Sequence, residues 1–153
     1  MIGDDTFYYR ANLPHLQKLH KTYFVTFCTY QRLVLPPLGR DIVLAHLGRG
    51  HGISYALYAA VVMPDHVHMI IAPYELTTLE TVLQLIKGAS AFYVNRQFRR
   101  SGPLWQRESF DHILRNGESV RAKSDYICGN PVRAGLVDST EQYPWMWRMD
   151  PAG

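Results

Sequence analysis

Three features of the sequence predict an α+β fold built on one four-stranded antiparallel sheet. Four segments are rich in β-branched and aromatic residues and have strand length. Two longer segments carry apolar residues at helical spacing. The two kinds follow one another as β-α-β-β-α-β, with one more helix behind them. That order is the split βαβ arrangement of a ferredoxin-like sandwich, whose two helices cover one sheet face. The additional C-terminal helix is left with a sheet edge or the open face to pack on.

Residues 22–30 (TYFVTFCTY) predict the first strand. The Leu35-Pro36-Pro37 patch separates it from a short helix over 39–50, where Ile42, Val43, Leu44 and Leu47 are apolar and Gly48 or Gly50 marks the end. Residues 53–63 and 66–72 predict two strands joined as a hairpin by Pro64-Asp65. A long helix is expected over 75–99, with Leu79, Val82, Leu83, Ile86, Ala89, Phe92 and Tyr93 at helical spacing. Gly102-Pro103 breaks the chain, residues 109–114 predict the fourth strand, and Asn116 or Ser119 is placed to cap a last helix. Asn130-Pro131 ends it near Gly129. Trp105 is expected in the core, and Trp145 and Trp147 over the sheet or a helix edge.

At 153 residues, 47% hydrophobic and 19% charged, the chain has the length and composition of one globular domain, taken here as 1–153. Disordered, collagenous and coiled-coil classes are excluded. No apolar run approaches the roughly 20 residues of a membrane span. The first ten residues, MIGDDTFYYR, lack the basic start and apolar stretch of a signal peptide, so a cytoplasmic protein is expected. Cys28 and Cys128 stand far apart and read as buried thiols rather than a disulfide.

The net charge of +3 is unevenly spread. Residues 1–86 carry six basic and six acidic side chains, 87–135 carry nine and four, and 136–153 carry one and three. Between Glu80 and Glu108 no acid interrupts Lys87, Arg96, Arg99, Arg100 and Arg107. Such a stretch fits either a phosphate-binding surface or a solvated helix face.

His66-Val67-His68 is the sharpest local motif. Residues two apart in a strand share a face, so His66, His68 and Ile70 should face one way and Val67, Met69 and Ile71 should enter the core on the other. Two imidazoles at that spacing can converge on one divalent cation. Ordinary hydrogen-bonded histidines are the commoner origin of an isolated HxH. His15, His20, His46, His51 and His112 are expected to be structural or exposed. Most of the ten tyrosines must be packing residues. Tyr93 could pack or line a groove. Tyr126 lies at the end of the last helix, with Asn130 four residues on, where a phenol and an amide would share a helix face.

Several blocks together resemble the HUH signature of single-tyrosine transposases, most of all the REP-associated tyrosine transposases related to small insertion-sequence enzymes. The blocks are Val61-Val62-Met63-Pro64-Asp65-His66-Val67-His68-Met69-Ile70-Ile71, then Leu104-Trp105-Gln106-Arg107 with Phe110-Asp111-His112-Ile113, then Tyr126-Ile127 with Asn130-Pro131-Val132-Arg133-Ala134-Gly135-Leu136-Val137. Asn12-Leu13-Pro14-His15 and Tyr23-Phe24-Val25-Thr26-Phe27 also fit. The blocks stand in the family's order and span most of the chain.

The resemblance implies a metal-dependent endonuclease and strand transferase acting on single-stranded DNA at hairpins formed by palindromes. Carried onto this chain, His66 and His68 become metal ligands and Tyr126 the nucleophile that forms a 5′-phosphotyrosine. Asn130 stands where the insertion-sequence relatives usually have glutamine, a longer amide with the same carbonyl donor. The expected ion is Mg or Mn. Lys87, Ser90, Arg96, Arg99, Arg100, Arg107, Lys123 and Arg133 are the expected DNA contacts. The sequence ends soon after Trp147 without a long basic tail, so contacts that longer relatives make with one are expected to be missing or supplied elsewhere. Monomer and homodimer are both compatible with the sequence. The rival readings are a domesticated, non-catalytic hairpin-binding regulator, a metalloenzyme that uses water in place of Tyr126, and a replication initiator with the same HUH chemistry, a class usually larger than 153 residues.

Overall fold

The computed structural model describes residues 21–115 and 117–149, apart from the side chains of Gly117 and Glu118. The expectations for Asn12, His15, His20 and the Asn116 cap lie outside the described residues.

Strand β1 (Thr22–Cys28) is followed by helix α1 (Pro37–Arg49), the hairpin of β2 (Tyr55–Val62) and β3 (His66–Pro73), and the long helix α2 (Leu79–Phe98). Strand β4 (Phe110–Leu114), helix α3 (Gly117–Cys128), the short helix α4 (Asn130–Arg133) and strand β5 (Met146–Arg148) complete the order. The sheet is antiparallel, in the order β4-β1-β3-β2-β5. Its first four strands have the ferredoxin-like arrangement predicted from the sequence. β5 is the correction: the segment expected to cover the sheet or a helix edge pairs with β2 as a fifth strand, setting Ala60 opposite Trp147 and Val61 opposite Met146.

Local chemistry explains the boundaries. Pro37 opens α1, where its missing N–H would lack a helical partner in any case. Thr78 caps α2, its Oγ1 accepting from the Thr81 N–H at 3.1 Å, so the helix starts at Leu79 rather than at the expected residue 75. Its C-cap, Arg99, takes a left-handed conformation with φ 53°.

Each sheet face has its own core. Val25, Phe27, Leu57, Ala60, Val62, Val67, Met69 and Ile71 are buried under α1 and α2 together with Val43, Leu47, Val82, Ile86 and Val94. Trp105 belongs to this core as expected, 6% exposed, with its indole N–H donating to Ser90 Oγ at 2.9 Å. On the opposite face Ala56, Ala59, Val61 and Ile70 pack with Leu114, Val120 and Ile127. The C-terminal helix therefore takes the open face.

The β2–β3 register slips between Leu57 and Ala59, leaving Tyr58 as an extra residue. Tyr58 and Ala59 consequently both belong to the α3-side core, although neighbours in a regular strand alternate. The β5 edge is fastened by indole donors. Trp147 Nε1–H donates to Leu57 O at 3.0 Å, and Trp145 Nε1–H to Asp41 Oδ1 at 2.7 Å. Both cysteines are free; Cys128 is buried as expected, whereas Cys28 is only partly buried. Among the described residues no helix is long and apolar enough to cross a membrane.

Candidate nuclease site

The β1–β3 register builds the site. Thr26 lies opposite His68 and Cys28 opposite His66, while Val67, Met69 and Ile71 enter the other core. The two imidazoles thus project from β3 into the layer that holds α3. Their ring centroids are 4.8 Å apart, with planes at 80°.

Each ring is held through Nδ1. Asp65 Oδ1 accepts from His66 Nδ1–H at 2.7 Å, and Thr26 Oγ1 lies 2.8 Å from His68 Nδ1. An ionised carboxylate can only accept, so His66 carries its proton on Nδ1 and presents a bare Nε2 lone pair. The Thr26 hydroxyl can accept from His68 Nδ1–H, which gives His68 the same tautomer, or donate to a bare Nδ1. Hydrogen bonds at Nδ1 with Nε2 left for the ion are the arrangement of metal-ligating histidines. The donor set therefore fits a divalent cation.

Burial favours the neutral form of His68, the form in which imidazole ligates. His68 is pushed down from 6.5 to about 4, chiefly by burial and further by the charges of His66 and Arg133. Burial works to raise the Asp65 carboxyl, but hydrogen bonds from Arg32 and His66, and their charges, outweigh it and hold it below the ordinary carboxylate range. Arg32 reaches Asp65 through Nε–H to Oδ2 at 3.0 Å. The turn under Asp65 is fixed by Thr29, whose N–H and Oγ1–H both donate to Asp65 O, and by the Leu35 N–H donating to Pro64 O.

α3 brings the phenol. Tyr126 is exposed on this helix, between Ser124 and Ile127, which are buried against the sheet. The Arg133 guanidinium lies 4.1 Å from the Tyr126 ring centroid and donates to Tyr126 O at 2.5 Å and to Asn130 Oδ1 at 3.3 Å. Its charge also reaches His68. Lys123 stands 5.7 Å from the Tyr126 ring and 5.6 Å from that of Phe24, which meets His68 edge-on at 5.8 Å. Phenol, amide, two cations and two imidazoles are thus linked across the α3 face of the sheet.

Among the described residues no third His, Cys, Asp or Glu completes a metal cluster with the pair. Among the described residues a further ligand would come from another donor type, and the amide oxygen of Asn130 has that chemistry.

Not every expected DNA contact can serve as one. Ser90 is fully buried and donates to Ile86 O at 2.7 Å, so it braces Trp105 and cannot reach a phosphate. Lys87 is half-buried, and its ammonium already donates to Gln106 O, Arg107 O and Ser109 Oγ. Arg100 is engaged by Asn95 Oδ1 at 2.5 Å. Arg96 and Arg99 are exposed at the end of α2, which packs on the sheet face opposite the histidine pair, while Arg107 is exposed in the connection that leads into β4. Only Lys123 and Arg133 of the expected set stand beside Tyr126. Tyr93, on α2, is part-exposed and stacks on His46 at 5.0 Å.

Sequence patterns missed Thr26, Arg32 and Asp65, because their roles depend on cross-strand register and a turn. Asp65 was visible only as a turn residue. Among the described residues the other histidines, His46, His51 and His112, make structural contacts, in line with the expectation that they are structural or exposed. His46 Nδ1–H donates to Ile42 O, His51 Nδ1 accepts from the Leu57 N–H, and His112 stacks on Phe24 at 5.2 Å.

Comparison with known proteins bears on this arrangement. The family model described as Transposase IS200 like matches residues 43–129, a span that contains His66, His68 and Tyr126. A Haemophilus influenzae (strain KW20 / Rd) protein named as a REP-associated tyrosine transposase is 31% identical over 97 residues, 57% of this chain and 55% of that protein. The chain thus matches about half the length of that relative. A solved structure of a REP-associated tyrosine transposase bound to a REP hairpin superposes with a TM-score of 0.66 at 23% identity, covering 85% of this chain and 78% of the other. A crystal structure of a Deinococcus radiodurans R1 protein described as a transposase gives 0.51 at 24%, covering 72% and 91%. At these identities the two structures establish the fold.

Proposed function

The chain belongs to the IS200-like transposase family, and from that premise we propose that it cuts and rejoins single-stranded DNA at hairpins, using Tyr126 as nucleophile and a divalent ion held by His66, His68 and Asn130. The observation that carries this reading is the grouping of an exposed phenol, two cations and a histidine pair with Nδ1 partners on one sheet face. The hairpin-bound structural relative supports the choice of substrate.

Tyr126 Oη attacks the scissile phosphorus, the P–O3′ bond breaks, and the released strand end leaves as a 3′-hydroxyl. The 5′-phosphate stays esterified to Tyr126, conserving the bond so that another 3′-hydroxyl can attack and restore a phosphodiester without ATP. Lys123 and Arg133, beside the Tyr126 ring, neutralise charge on the phosphate. Asp65 holds His66 in the ligating tautomer, and Thr26, when it accepts from His68 Nδ1–H, does the same for His68. A bound Mg or Mn ion would supply Lewis-acid stabilisation of charge on the phosphoryl oxygens. Because α3 covers part of this face, a flexible single strand can enter where a stiff duplex cannot.

His66→Ala and His68→Ala test the reading. Each should abolish ion-dependent nicking of a labelled hairpin oligonucleotide while leaving its binding largely intact, since phosphate contacts supply most of the binding free energy. Nicking at the wild-type rate by either variant would overturn the ligand assignment.

A further inference from the structure

We propose that Phe110, at the start of the edge strand β4, is a stacking platform for one unpaired nucleobase beside the scissile phosphate. The proposal rests on the hairpin-nuclease reading and adds where the strand lies.

The register fixes the position. Phe110 is opposite Thr26, and Thr26 is opposite His68, so all three share a sheet face. Two strand spacings put Phe110 about 10 Å from His68 across the sheet. One step further along the strands, His112 stacks on Phe24 at 5.2 Å with planes at 21°, and Phe24 meets His68 edge-on. Flat rings therefore run from the histidine pair to the edge of the sheet. Phe110, the outermost of them, is 72% exposed.

A phenyl ring this exposed contributes little to the fold. The occupant that suits it must bring a flat apolar ring and negative charge together, because the same face carries Lys123 above Phe24 and Tyr126, and Arg133 beside them. A single nucleic-acid strand has both, with bases for the rings and phosphates for the cations. Stacking on a phenyl face tolerates any base, so Phe110 should hold the strand in register near Tyr126 without reading its sequence. A base still stacked within a duplex cannot use it, and this favours single-stranded over paired substrate.

The test uses the full chain in EDTA, so that binding is read without cleavage, and hairpin oligonucleotides carrying 2-aminopurine at successive positions around the cleavage site. Wild type should quench the fluorophore at one or two positions flanking that site. Phe110→Ala should abolish this quenching and weaken binding roughly 5- to 150-fold, the range for losing one stacked base. Phe110→Trp should restore both, and the melting temperature should be unchanged in each variant. Wild-type affinity and quenching in Phe110→Ala, with adduct formation intact, would overturn the platform while leaving the nuclease reading in place. Failure of the wild type to bind any hairpin would remove both. A concentration-dependent dimer in sedimentation that Phe110→Ala dissolves would instead assign the ring to a contact between copies of the chain.

Discussion

Replacing Asp65 by alanine separates ligand preorganisation from ligand identity. The substitution leaves both imidazoles in place but removes the 2.7 Å hydrogen bond to His66 Nδ1 and the 3.0 Å ion pair with Arg32. The ion pair is solvent-exposed on the arginine side and contributes only ~0–1 kcal/mol to stability. The hydrogen bond matters more for binding, since without it neutral His66 can shift its proton to Nε2 and lose the ligating lone pair. Loss of such an outer partner typically weakens metal affinity by about 10–100-fold. Titration of metal-free protein with Mn2+, followed by the electron paramagnetic resonance of the free ion, measures this directly. Asp65→Ala should fall in that range with a nearly unchanged melting temperature, and Asp65→Asn, which keeps an acceptor oxygen, should lie between it and wild type. Affinity for Mn2+ within about twofold of wild type in Asp65→Ala would refute the reasoning.

Two further outcomes follow from the electrostatics. Because the folded-state pKa of His68, about 4, lies below its ordinary 6.5, the unfolded chain binds more protons between those values. Stability of the metal-free protein is then full above about pH 6.5 and declines by ~3 kcal/mol as pH falls toward 4. Urea midpoints across that window should show the decline, and His68→Gln should flatten it; an equally steep decline in His68→Gln would refute the assignment. Replacing Lys123 and Arg133 together by glutamine should reduce the slope of log affinity for a single strand against log salt by about 1.4, or 0.7 for each phosphate contact. The Arg96→Ala/Arg99→Ala pair, on the helix behind the sheet, should change it less, and the reverse ranking would place the DNA on the α2 side.

The fold was legible where the signal is local. Strand and helix periodicities placed β1 to β4 and the three principal helices, and alternation correctly split His66 and His68 from Val67 and Met69. Features set by pairing were hidden. β5 is three residues long, too short to show a period, and exists because Met146 to Arg148 find the free edge of β2. The bulge at Tyr58 shifts register without leaving a mark such as glycine. At the site, residue types pointed to His66, His68 and Tyr126, but Thr26 and Asp65 acquire roles only through register and turn geometry. The basic run from Lys87 to Arg107 looked continuous in sequence. In three dimensions Lys87 and Arg100 brace the chain that leaves α2, Ser90 is buried, and the cations beside Tyr126 come from residues 123 and 133.

The central claim is that the Tyr126 oxygen is the attacking atom. Wild-type protein incubated with a 5′-labelled and a 3′-labelled hairpin oligonucleotide and Mn2+ should form a detergent-resistant covalent adduct. Peptide mapping should place the DNA 5′-phosphate on Tyr126, with a free 3′-hydroxyl on the released fragment. Tyr126→Phe keeps the ring and its cation contacts, so it should fold and bind DNA yet form no adduct, while Tyr93→Phe should react normally. An adduct on another residue, or cleavage by Tyr126→Phe at the wild-type rate, would contradict the account.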